Sequence, residues 1–203
     1  VELAKEVFHR LNYSPEFKFI DWSKKKELLD SKKIDCIWSS FTMTGRESQF
    51  LWAGPYLYSQ QVVMVPKNSP IYSIKDLNGK VVGVQSTTKP VDLLLSGGKN
   101  IPKIKEMIVF PTKSETVASL REGGVDAVAG HITALYRYTV QEHFRFLSDA
   151  LEEVRLGVAF PKSGDQKLVD ALTNTLEHMK KEGLVDEIIQ KYGLDPKPIV
   201  WGK

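Results

Sequence analysis

Only one cysteine, Cys36, occurs in the 203 residues, so no disulfide can form within the chain. Set in the run Ile34-Asp35-Cys36-Ile37-Trp38, that thiol reads as a small buried hydrophobe rather than a reactive group. Cysteine usage therefore leaves the compartment open. His9, His131, His143 and His178 are scattered, with no ligand spacing among themselves or to Cys36, which argues against a metal centre. No stretch approaches the roughly 18 consecutive apolar residues of a membrane-crossing helix, and no charged-then-apolar leader opens the chain. An excess of one charge is also missing. The 28 basic and 25 acidic side chains leave a net +3, too mild to imply nucleic acid or a membrane surface. There is no G-x-S-x-G elbow and no Walker pattern, and Gly97-Gly98 falls in a Ser/Gly/Lys turn. Repeats, low-complexity tracts and Pro/Ser-rich linkers are absent too.

What remains is an ordinary globular composition, 42% apolar, in a chain long enough for one sizeable core or two modest ones. Strand-like runs fall at 17–20, 34–38, 61–65, 81–84, 107–110, 127–129 and 157–160, and helical spacing at 22–31, 114–122, 132–141 and 165–180. Such alternation predicts an α/β fold with largely parallel sheets, helices on their faces and right-handed crossovers. Gly79 and Gly183 stand where helices stop.

Two loops carry the chemistry. The run 34–38 is apolar enough to predict a strand covered on both faces. It leads into Ser39, Ser40, Phe41, Thr42, Thr44 and Arg46, where hydroxyls and a guanidinium fork suit capture of a carboxylate or similar planar anion. The other loop, Gln85-Ser86-Thr87-Thr88, follows the VVGV strand and precedes a helix opened by Pro90. Hydroxyls and backbone N–H groups there form an anion seat, with plain N-capping by Thr88 as the alternative.

Four segments in one order resemble the family 3 periplasmic solute-binding proteins, the polar amino-acid receptors of ABC importers. These are IDCIWSSFTMTGRESQFLWAGPYLYSQQVVMVPKNSP, IYSIKDLNGKVVGVQSTTK, EGGVDAVAGH and LGVAFPKSGDQKLVDALTNTLEHMKKEGLVDEIIQKYG. The opening VELAKEVFHRL is similar to the family's first helix, and the strand that the family places before it is absent from this chain. The resemblance implies a two-lobed clamp of type II, with parallel-rich sheets flanked by helices and a hinge of two parallel strands. Lobe one would comprise residues 1–64 and 160–203, with lobe two, 65–159, inserted. The hinge crossings are expected at Val62 to Pro66 and Gly157 to Pro161.

The same resemblance implies the ligand contacts. Ser40 and Thr42 match positions that meet the ligand carboxylate, and Thr44 the second threonine of that motif. The family arginine stands three residues after this threonine, whereas Arg46 stands two after and Glu47 occupies the third position; the alternative for Arg46 is a surface pair with a nearby acid. Thr87 or Thr88 would contact ligand from a loop one residue shorter than the family's. The family aspartate that receives an α-ammonium corresponds to His131, which either lines the cleft, receives an anion once protonated, or caps the helix from Ile132. Asp126 is expected to close the turn after Gly123-Gly124. Among the aromatics, Phe41 and Trp52 are the candidates for ligand stacking.

The implied protein captures a small polar ligand, most simply an amino acid or derivative, and presents it to the membrane subunits of an ABC importer. It would be extracytoplasmic and monomeric, with no cofactor, metal or nucleic-acid partner. Two other classes remain open: a ligand-sensing domain of a membrane signalling protein, and a cyclohexadienyl dehydratase-like enzyme using His131 or Glu47 as acid or base.

Overall fold

The computed structural model describes residues 1–97 and 101–201, so Gly98 and the last two residues of the basic tail lie outside the described residues. The chain divides into two compact units, Val1–Ser59 with Val154–Lys203, and Gln60–Glu153. These unit boundaries, 59/60 and 153/154, lie several residues before the lobe boundaries expected at 64/65 and 159/160.

The first unit is built on helices α1 (Glu2–Arg10), α2 (Lys25–Asp30), α6 (Gln166–Lys181), α7 (Leu184–Lys191) and α8 (Pro196–Trp201). Strand β1 (Leu51–Pro66) leaves this unit and strand β6 (Glu152–Phe160) returns to it. In α6, Val169, Leu172, Leu176 and Met179 recur at helical spacing and are buried against Leu3, Val7, Leu156 and Val158. Asp165 caps that helix by accepting from the Lys167 N–H, and Gly183 ends it with a φ of 81°, a left-handed conformation that glycine adopts without cost. A smaller core joins Leu29, Ile37, Phe41, Phe50 and Ala159.

Two expected strands are missing from this unit. Residues 17–20 have no ladder, and within 34–38 pairing shrinks to one bridge, Ile37 to Ala159. Only Ile37 of that run is buried, while Asp35 is exposed. Apolar, β-prone residues become a strand only where a neighbouring strand supplies the other side of a ladder.

The second unit holds β2 (Val81–Gln85), α3 (Lys89–Ser96), β3 (Glu106–Phe110), α4 (Lys113–Arg121), β4 (Ala127–His131), α5 (Ile132–Gln141) and β5 (Phe144–Phe146). Strand order is β3-β2-β4-β1-β5, with β6 pairing β1 off that path. β2 runs parallel to β3 and β4, whereas β1 is antiparallel to β4 and β5. The sheet is thus mixed rather than largely parallel, because the long β1 enters it against the direction of the βαβ units. Asp126 ties β2 in place: its carboxylate accepts the Val81 N–H at 2.8 Å and its own N–H donates to the Val81 carbonyl at 2.9 Å, a role different from closing the preceding turn. Thr112 and Glu115 form a reciprocal capping box at α4.

Candidate functional site

In the first unit the hydroxyl loop is anchored at both ends. Thr42, buried, forms a bridge with Leu156, and the Met43 N–H donates to the Arg155 carbonyl at 2.8 Å. Thr44 faces the same strand, its hydroxyl accepting the Arg155 N–H at 2.9 Å. Ser40 has a φ of 48°. That is the left-handed region, which a non-glycine residue occupies only when its surroundings hold it there.

Arg46 lies with its guanidinium carbon 5.4 Å from the Phe41 ring centre, a cation–π contact, and its carbonyl accepts the Trp52 indole N–H at 3.1 Å. Glu47 does not compete for it in the way sequence adjacency suggests. Its carboxylate accepts from the Arg155 guanidinium at 2.9 Å, and backbone N–H groups of Glu47 and Gly45 hold its pKa below the ordinary value. Phe41 and Trp52 are not equivalent. Phe41 is buried among Trp22, Phe50 and Trp52, whereas Trp52 is half-buried, tilted on Phe41 at 5.3 Å.

Sequence reasoning missed Lys25. It is buried with its ammonium donating to the Trp22 carbonyl at 3.1 Å, 4.9 Å from the Trp22 ring centre and 5.9 Å from that of Phe41. In the run WSKKKELL it resembles solvated surface; the signal is Leu29 four residues on, which shares its helix face and is fully buried.

In the second unit the loop after β2 ends at Thr88, the N-cap position of α3. The Thr88 hydroxyl donates to the Gln85 carbonyl at 2.6 Å instead of accepting a helix N–H, so side-chain capping does not explain it. Thr87 is exposed with a φ of 57°. The other non-glycine residues with positive φ, Asn12 and Lys32, directly follow the ends of α1 and α2, where a left-handed residue closes a helix. Ser40 and Thr87 follow no helix. The two strained positions without that reason sit in the two loops singled out from sequence.

His131 ends β4 and is the N-cap residue of α5. Its Nδ1 pairs with the Thr133 hydroxyl at 2.8 Å, its Nε2 is buried with no hydrogen-bond partner, and burial pushes its pKa down to about 4. Near neutral pH it is an uncharged imidazole. Burial around the ring thus favours the neutral imidazole over the imidazolium.

The parallel strands β2 and β4 end side by side, and their following helices lead to opposite sides of the sheet, β2 to β3 and β4 to β5. That divergence is the switch point at which open α/β sheets bind ligands. Thr87, Thr88 and His131 all lie at it. Glu152 and Lys89, which sequence reasoning passed over, belong to the same edge: Lys89 opens α3, and its ammonium is 3.6 Å from Glu152. No local pattern marks Glu152, because its neighbours come from distant parts of the chain. Among the described residues no cluster of His, Cys, Asp or Glu has the arrangement of a metal site, and no helix is long and apolar enough to cross a membrane.

The family model of the bacterial extracellular solute-binding proteins, family 3, matches residues 1–195. The chain belongs to this family. A probable histidine-binding protein of Neisseria gonorrhoeae is 28% identical over 200 residues, covering 95% of this chain and 73% of the relative. The solved structure of an ancestral arginine-binding protein bound to arginine shares 30% identity and a TM-score of 0.82, over 94% of this chain and 85% of that one. An ancestral amino-acid-binding protein, a precursor of cyclohexadienyl dehydratase, shares 26% identity and a TM-score of 0.81, over 94% and 82%. The fold is that of the type II clamp, and the family's task is solute capture.

Proposed function

We propose that this solute-binding protein is the extracytoplasmic receptor of an ABC importer, that it works as a monomer, and that its ligand is an amino acid or close derivative. The family match over residues 1–195 carries this reading, and relatives named for histidine and arginine binding support the ligand class. In the first unit, Ser40, Thr42, Thr44 and Arg46 serve the α-carboxylate, a guanidinium and hydroxyls being suited to a planar anion. Trp52 supplies an apolar wall with Phe41 packed behind it. In the second unit, Thr87 and Thr88 add backbone and hydroxyl contacts at the start of α3, with His131 beside them. Ser40 to Arg46 belong to the first unit, and Thr87, Thr88 and His131 to the second.

Catalysis has little to work with here. His131 is a buried neutral ring, and Glu47 is engaged by Arg155, so neither stands ready as a general acid or base. The protein is read as a binder for that reason.

A thermal-shift screen with amino acids, amino-acid derivatives and small carboxylates tests the reading. A ligand present at about 100 times its dissociation constant adds about 2.7 kcal/mol, several degrees for a chain of this size. Shifts confined to α-amino acids and their derivatives support it; no shift with any of them overturns it.

A further inference from the structure

Among the described residues, the buried polar atoms without a hydrogen-bond partner include two at the switch point of the second unit, Nε2 of His131 and Oε2 of Glu152. Native interiors pair such atoms, so a pair of exceptions at one place points to a group that arrives from outside. Their neighbourhood is fixed by the sheet. Gln61 on β1 stands directly opposite His131 on β4, and its carbonyl accepts the Leu151 N–H at 2.8 Å, which brings the adjacent Glu152 to the same strand end. Lys89 at the start of α3 approaches Glu152 from the β2 side.

The Lys89 contact does not satisfy the carboxylate. At 3.6 Å it contributes charge but is too long for a hydrogen bond. His131, uncharged and already bonded to Thr133 through Nδ1, supplies no negative charge for a cation. Among the groups brought together at this strand end, Glu152 is the one carboxylate with both a buried oxygen and an open hydrogen-bonding position. We infer that Glu152 receives the α-ammonium of the ligand, resting against Lys89 until the ligand arrives. The ammonium then gains a charge-assisted hydrogen bond to Oε2, and the imidazole Nε2 is left to contact a neighbouring atom of the same ligand.

This inference rests on the amino-acid reading above, and the experiment separates the two. L-Histidine is titrated calorimetrically into the wild-type protein, Glu152→Gln and Lys89→Met, beside 3-(imidazol-4-yl)propionate, which keeps the carboxylate and ring but lacks the ammonium; L-arginine and 5-guanidinopentanoate form a second pair. Glu152→Gln should weaken the amino acid by at least about tenfold while changing the ammonium-free analogue by less than about twofold, because only a charge-assisted bond is lost. Lys89→Met should bind the amino acid as well as wild type or better. Equal weakening of both ligands by Glu152→Gln, with a lowered melting temperature of the ligand-free protein, would make the pair purely structural and overturn the inference. Unchanged amino-acid affinity in Glu152→Gln overturns it while leaving the amino-acid reading standing. Wild-type protein that binds neither L-histidine nor L-arginine removes both.

Discussion

The hydroxyl of Thr44 accepts the backbone N–H of Arg155 at 2.9 Å, across 111 residues of sequence. A residue that the family pattern marks for ligand contact is thus also a clasp between the polar loop and β6. Thr44→Val keeps the shape and leaves that N–H without its acceptor, at a cost of about 1–3 kcal/mol. Urea unfolding of the ligand-free protein should show this loss, and Thr44→Ser should recover most of it. An unchanged midpoint in Thr44→Val would mean that the hydroxyl serves ligand alone.

Arg46→Ala should abolish amino-acid binding with little effect on the fold. The carbonyl that takes the Trp52 indole N–H survives the substitution, and loss of the cation–π contact with Phe41 costs about 0.5–1 kcal/mol. Calorimetry and melting temperature, measured on one preparation, separate the two effects. Full affinity in the variant would take Arg46 out of the site.

Burial of His131 has a consequence for acid stability. Its pKa in the folded protein is about 4, below the unfolded value near 6.5, so folding favours the neutral ring. The stabilisation is complete above about pH 6.5 and disappears as pH falls through that value toward about 4, a swing on the order of 3 kcal/mol. His131→Asn should flatten the difference between unfolding free energies at pH 7 and pH 4.5 relative to wild type. Parallel profiles for the two proteins would place the acid sensitivity in the carboxylates instead.

Gly157 has no room for a side chain. A Cβ there would lie 2.7 Å from the Trp52 ring and 3.3 Å from the Ala53 carbonyl. Gly157→Ala must displace the indole, costing about 1–3 kcal/mol of stability and loosening the Trp52–Arg46 hydrogen bond. Tryptophan fluorescence and ligand affinity should change together; a change in stability with affinity intact would make Trp52 a packing residue only.

Much of this was legible before any fold was known. The spacing of apolar residues locates α5 at Ile132–Gln141 to the residue, and the VVGV run marks β2, because a long amphipathic face or a wholly buried strand leaves a local signature. Residues 17–20 and 34–38 carry the same composition without becoming strands, since pairing is a property of neighbours. The polar loops could be found from hydroxyls and Arg46. Lys25 left only a faint local trace, in Trp22 and Leu29 on its own helix segment, and Glu152 left none. The Glu152 carboxylate is half-paired by Lys89, far away in sequence, and nothing in its own surroundings of five or six residues records that.

The left-handed backbone at Ser40 and Thr87 bears on how this protein can be altered. Glycine would adopt either conformation without steric cost, while serine and threonine carry a penalty that only their side chains can justify. Breeding the protein for heat resistance should therefore push both positions toward glycine, and breeding it for tight binding should hold the hydroxyls. The two selections pull on the same pair of residues in opposite directions, and the outcome at Ser40 and Thr87 would reveal which demand shaped the chain.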